Sequence, residues 1–219
     1  MWTRAELKEN AKNVLRKYYW PSLGTLVIMF FISGAAGILN FIPVLGSIAM
    51  LFISLPLTVG MYSYFLNARK DKADIADIFN MFKGGKLFKV TGALLWVALF
   101  DFLWSLLFVI PGIIKAIAYS MVPFILADNP DIGYKRAIKL SIAMTNGQKA
   151  DMFVLYLSFI GWFLLGALAC GIGTVFVYPY FYATLAELYT KLKEKALNEG
   201  LCTYQELNAI TPAAAEPAN

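Results

Sequence analysis

The chain has 219 residues, of which 59% are hydrophobic and only 15% charged, with a net charge of +5. A soluble domain of this size carries about a quarter charged residues, so the composition excludes an ordinary water-soluble fold. Histidine is absent, which excludes histidine-ligated zinc chemistry and Ser-His-Asp catalysis on inventory alone.

Residues 2–18 read as an amphipathic helix. Thr3 and Glu6 stand as a capping box, Trp2 and Leu7 as a hydrophobic staple. Leu7, Ala11, Val14, Leu15 and Tyr18 recur at helical spacing, with Arg4, Lys8, Lys12 and Arg16 on another face. Those four cations are the candidate contacts for anionic lipid headgroups. No charge follows between Tyr18 and Ala68, 51 residues. One helix over that run would be about 77 Å long, against a hydrocarbon core of about 30 Å. Two spans, about 21–39 and 47–66, with a tight turn from Asn40 to Gly46 around Pro43, resolve the mismatch.

Residues 67–89 are basic, and Ile75, Ile78, Phe79 and Phe82 within them predict a second amphipathic helix. A third span covers about 90–110 and Pro111-Gly112 is expected to break it. A shorter fourth span, about 113–127, ends at Asn129-Pro130. A third amphipathic helix covers 131–149. The fifth span is about 152–170, Gly171-Ile172-Gly173 is the turn, and the sixth span is about 174–191. In the fifth, Gly166, Ala167, Cys170 and Gly171 are small residues four apart that allow close helix approach. Residues 1–192 thus form one transmembrane domain. Residues 193–219 are a cytoplasmic tail expected to be partly disordered. Cys170 and Cys202 read as reduced bystanders.

The fold class is therefore all-α: six transmembrane helices in three hairpins, each preceded by a cytoplasmic amphipathic helix. Of 19 basic residues, 18 fall in the four polar stretches and none in the three turns. That bias puts both termini in the cytoplasm. The unit looks repeated. Met81-x-x-Gly84-x-Lys86 matches Met144-x-x-Gly147-x-Lys149, each just before a span, and the three return helices carry Pro56, Pro123 and Pro179. Parallel repeats of this kind occur in some transporters.

Several stretches carry a resemblance. They are Ile110-Pro111-Gly112-Ile113-Ile114-Lys115, Tyr119-Ser120-Met121, Pro123-Phe124-Ile125-Leu126 and Asn129-Pro130. They continue through Ala137, Ser141, Met144, Gly147 and Lys149, then Phe159-Ile160-Gly161-Trp162, Gly171-Ile172-Gly173 and Pro179-Tyr180. With Arg4, Leu7-Lys8, Ala11-Lys12 and Tyr19-Trp20, the chain resembles, over about 3–192, the bacterial membrane family called domain of unknown function 975. The resemblance implies a polytopic bacterial plasma-membrane protein and imports no substrate and no catalytic residue.

Ionisable residues inside spans are costly and are functional candidates. Asp101 lies in the middle of the third span and Lys115 in the fourth, about 9 Å apart in depth on an antiparallel hairpin. The two can pair or share a polar pocket; alternatively Lys115 snorkels outward. Tyr119, Ser120 and the proline-broken fourth span extend the candidate site. Pro123 should free a carbonyl near Tyr119. Glu187 reads either as a member of that site or as an interfacial residue in contact with water. Tyr178, Tyr180, Tyr182 and Tyr189 read as an aromatic lining or as packing and interfacial anchors. No metal site, cofactor, nucleic-acid partner or enzymatic activity is expected. The expected partners are membrane lipids, anionic on the cytoplasmic leaflet. The expected role is lipid binding or envelope-stress scaffolding; alternatively it is a small permease or flippase working through Asp101 and Lys115.

Overall fold

A computed structural model describes residues 2–41, 44–107, 109–168 and 171–208. Pro43, Cys170 and the chain end from 209 lie outside the described residues. Among those described there are eight α-helices and no strand.

Helix α1 (Arg4–Gly37) starts as its sequence dictates, with the Glu6 amide donating to Thr3 Oγ1 at 3.2 Å. The Glu6 carboxylate turns back to the Thr3 backbone amide, as the capping box expects, and also reaches Lys191 at 2.9 Å. The expected boundary near residue 20 is a kink at which two helical segments join. Tyr18 leaves helical geometry (φ −112°, ψ 16°). Pro21 explains this, since it lacks the donor for the Lys17 carbonyl and its ring crowds that oxygen. Before the bend, Leu7 and Ala11 are fully buried and Leu15 nearly so. The apolar stripe is therefore spent on the protein core, with α8 its main neighbour.

After α2 (Leu45–Arg69) the chain forms a tight 3-10 helix, Ile75–Phe82. Asp74 and Asp77 cap it reciprocally, and Asn67 donates to Asp77 at 2.8 Å, which ties it to the end of α2. Ile78 is fully buried against α2. Helix α3 (Lys86–Leu107) is followed by α4 (Val109–Tyr119). The chain breaks between α3 and α4, just ahead of Pro111-Gly112. Both residues lie in the first turn of α4, where a missing donor is harmless. A Cβ on Gly112 would stand 3.0 Å from Ser105 Cα, so the glycine permits the close antiparallel return onto α3. A further interruption comes within this return segment, at Ser120-Met121, before α5 (Val122–Asp128) with Pro123 in its first turn.

Helix α6 (Tyr134–Met144) precedes α7 (Lys149–Leu168) and α8 (Ile172–Asn198). Gly84 and Gly147 both have left-handed backbone (φ +66° and +74°), and the lysine two residues on begins a long helix each time, α3 and α7. Gly166 lies directly on the backbone of α8. A Cβ there would be 2.6 Å from Thr174 N. The polar tail does not stay loose up to residue 208. It folds back on α5 and α6, with Arg136 donating to both oxygens of Glu206 at 2.8 and 3.0 Å and Leu207 fully buried.

Five helical segments are long and apolar enough to cross a membrane: Arg4–Gly37, Leu45–Arg69, Lys86–Leu106, Ile110–Asp128 and Lys149–Leu168. Helix α8 is long enough but not among them. Its tyrosines, Pro179 and Glu187 dilute its hydropathy. The ion pairs Lys17–Asp71, Arg69–Glu187, Glu6–Lys191 and Lys89–Asp131 join the polar stretches at one end of the bundle. Toward the turns, large apolar side chains such as Phe31, Phe102, Leu106 and Leu165 are exposed. Water does not favour such a surface, and acyl chains do.

Candidate functional site

The interruption between α4 and α5 shapes the site. With no amide donor at Pro123 and the helix broken, the carbonyls just before it lose their partners. The Ala118 carbonyl is recovered by Ser141, whose hydroxyl donates to it at 2.6 Å from α6. The Ser120 hydroxyl donates to the Ile117 carbonyl at 2.8 Å. The recovered carbonyl is next to Tyr119, and its donor comes from an element whose role the sequence did not reveal.

Beside this break lies a cavity of about 580 Å3 bounded by α2, α3, α4, α7 and α8. Asp101, Tyr119, Ser120 and Pro123 line it, as the sequence grouping anticipates, and Tyr62, Tyr156 and Tyr182 complete its polar wall. The Asp101 Oδ1 atom is buried and accepts no hydrogen bond among the described residues. An acceptor in that state costs one to several kcal/mol unless a ligand or water supplies a donor. Tyr62 and Tyr182 stand edge to face, 5.8 Å between centroids, and Tyr182 stacks on Phe65. Ile113, Leu157 and Ile160 at the rim are exposed, so the cavity opens sideways through apolar surface.

Lys115 does not join Asp101. Its ammonium sits 4.6 Å above the Trp104 ring, a cation–π contact one helix turn from Asp101 along α3. Nor does Lys115 simply point outward. The indole holds it because an aromatic face is the nearest negative potential that needs no second desolvated charge. Glu187 is not in contact with water. It is 3% exposed, and its Oε1 lies 2.9 Å from Arg69 Nε. The Nε–H is not aimed along that line, so the contact is ionic and Nε has no hydrogen bond among the described residues. Glu187 therefore belongs to a second polar region, apart from the Asp101 cavity. Tyr189 does too, donating to Asp128 at 2.8 Å.

Of the four N-terminal cations, Arg4, Lys12 and Arg16 are exposed. Lys8 is partly buried, its ammonium 4.6 Å over the Phe159 ring of α7, and burial holds its pKa below the usual lysine range.

Residues 106–196 match the model of a family described as Protein of unknown function (DUF975). This agrees with the resemblance drawn from the motifs, over a shorter stretch. The match takes in α4 to α8 and with them Lys115, Tyr119, Ser120, Tyr156, Tyr182 and Glu187. Asp101 and the N-terminal cations lie before it. No curated protein and no solved structure matches the chain.

Proposed function

We propose that the protein is a non-enzymatic, lipid-binding component of a bacterial plasma membrane, with α8 as a sixth span and both termini cytoplasmic. The observation that carries the binding role is the buried Asp101 Oδ1, without a donor among the described residues, on the wall of a sideways-opening cavity. An acceptor there calls for a ligand with a donor. The surrounding tyrosine rings favour a cation, and the apolar rim favours a body that enters from the bilayer. The ligand class is an amphiphile with an ammonium-bearing head, such as an amino-headgroup phospholipid. The exposed Arg4, Lys12 and Arg16 would meet anionic headgroups at the cytoplasmic edge, with the bend at Tyr18 setting the angle.

Native mass spectrometry of the detergent-purified protein tests this. Wild type should retain amino-headgroup phospholipid, and Asp101→Asn should retain about tenfold less, the scale of one lost charge-assisted hydrogen bond. Equal retention by a variant of unchanged melting temperature would reject the reading. A second reading, a permease or flippase, is favoured by the break at Ser120-Met121, since Ser120 and Pro123 both line the cavity. Headgroup-labelled lipid should then cross the bilayer of proteoliposomes, and Asp101→Asn should stop it. Retention without flux selects the binding role.

A further inference from the structure

At the polar end of the bundle a second cavity, about 760 Å3, lies between the end of α2, the latter part of α8 and the folded-back segment 199–208. Four cations line it, Arg69, Lys70, Lys72 and Lys193, against two carboxylates, Asp128 and Glu194. Asp128 is already satisfied. Lys193 bonds to it, and Tyr189 donates to it at 2.8 Å. That pair adds no net charge to the lining.

Arg69 is in a different condition. Its only ionic partner among the described residues is Glu187, whose side chain is 4% exposed, while the Arg69 side chain is 29% exposed and lines the cavity. A buried carboxylate therefore clamps the guanidinium from behind. Arg69 makes no hydrogen bond among the described residues, so the N–H groups of its two terminal nitrogens are unspent. A planar guanidinium held this way presents the fork that matches two oxygens of a phosphate. Lys70 and Lys72 flank it on the exposed turn after α2, and neither has an ion-pair partner among the described residues. Glu194 is the opposing charge, and it leaves the lining net positive.

We propose that this cavity binds a phosphate-bearing anion, gripped by the Arg69 fork and neutralised by Lys70 and Lys72, with Glu187 as the residue that positions Arg69. The same chemistry would take a phosphorylated solute or a phosphomonoester lipid headgroup reaching in from the bilayer edge. The site is independent of the Asp101 cavity.

The test uses the full chain in neutral detergent, titrated with inorganic phosphate at constant ionic strength against chloride. In parallel, native mass spectrometry reads phosphatidic acid retained from phosphatidylcholine nanodiscs that carry it. Phosphate should raise the melting temperature where chloride does not, or phosphatidic acid should be retained; the arm that responds identifies the source. The double variant Lys70→Gln/Lys72→Gln should weaken the responding arm about tenfold or more. Both lysines are exposed, so it should melt like wild type without ligand. Arg69→Lys keeps the charge and loses the fork, and should weaken binding as well. Asp101→Asn should leave binding unchanged, which separates this site from the intramembrane one. No response in either arm, or undiminished binding by the double lysine variant, overturns the proposal.

Discussion

At Gly60 one hydrogen atom takes the place of a side chain for a reason that no sequence pattern reveals. A Cβ there would lie 2.1 Å from the Ile78 carbonyl oxygen, which is backbone and cannot move aside cheaply. Gly60→Ala should therefore destabilise the fold by about 1–3 kcal/mol, the usual cost of overpacking, and lower the melting temperature in detergent. Gly24→Ala is the control, since nothing lies within 4 Å of a Cβ at that position, and it should not lower the melting temperature. In the sequence the two glycines look alike, each amid apolar text; only the 3-10 helix folded against α2 tells them apart. Asp101 was legible as a charge inside a span, because any charge there is conspicuous. Its relation to Lys115 was not. Depth on a hairpin follows from helix rise, but the lysine's choice of Trp104 depends on which face of α3 each side chain occupies.

The broken return helix makes a sharper case at the level of elements. Proline in the sequence told that a carbonyl would be freed; it could not tell which neighbour would recover it. Ser141 does so from α6 at 2.6 Å, with both groups buried. Ser141→Ala should leave the Ala118 carbonyl unsatisfied and cost about 1–3 kcal/mol, read as a fall in melting temperature. Ser158→Ala is the comparison, because the Leu155 carbonyl it caps lies within an unbroken stretch of α7 and should lose much less. The tail is a second element whose partners composition could not name. Polar text after α8 reads as loose, yet Arg136 grips Glu206 and holds its carboxyl below the usual range, chiefly through the direct hydrogen bond. A carboxyl with a lowered folded pKa stabilises above its unfolded value of 4.5 and loses that contribution as pH falls through the folded value. Amide exchange over residues 199–208 should accordingly speed up, after correction for intrinsic rates, on acidification from about pH 6 to below about pH 4. Glu206→Gln should exchange faster already at neutral pH and lose most of the acid-dependent step. An unchanged profile in the variant would assign the acid response to another group.

For the whole molecule the deciding feature is polarity along its long axis. Ion pairs gather where the polar stretches meet, and exposed phenylalanine, leucine and isoleucine gather toward the turns. Sequence foretold this arrangement well, because charge scarcity and helix length are both counted residue by residue. Helix α8, read from the sequence as a span like the others, is less apolar than the five segments above. Tyr180, Tyr182 and Tyr189 give that helix rings to pack inside the bundle, Tyr178 stays exposed at 39%, and the tyrosines together lower the hydropathy of the helix. If the basic stretches face the cytoplasm, the opposite face offers only the short connections between helices. Phe41, 89% exposed after α1, and Ile110, 73% exposed at the start of α4, mark two of them. Single cysteines at these positions, with Cys170 and Cys202 replaced by serine, should react with an impermeant maleimide added outside intact cells. A cysteine at Lys139 on α6 should react only after permeabilisation. The reverse pattern would invert the molecule and remove both the anionic-leaflet contacts of Arg4, Lys12 and Arg16 and the access of cytoplasmic phosphate to Arg69. Labelling of Phe41→Cys from outside, with Lys139→Cys protected, places the polar end of the bundle, and with it the phosphate cavity, on the cytoplasmic side.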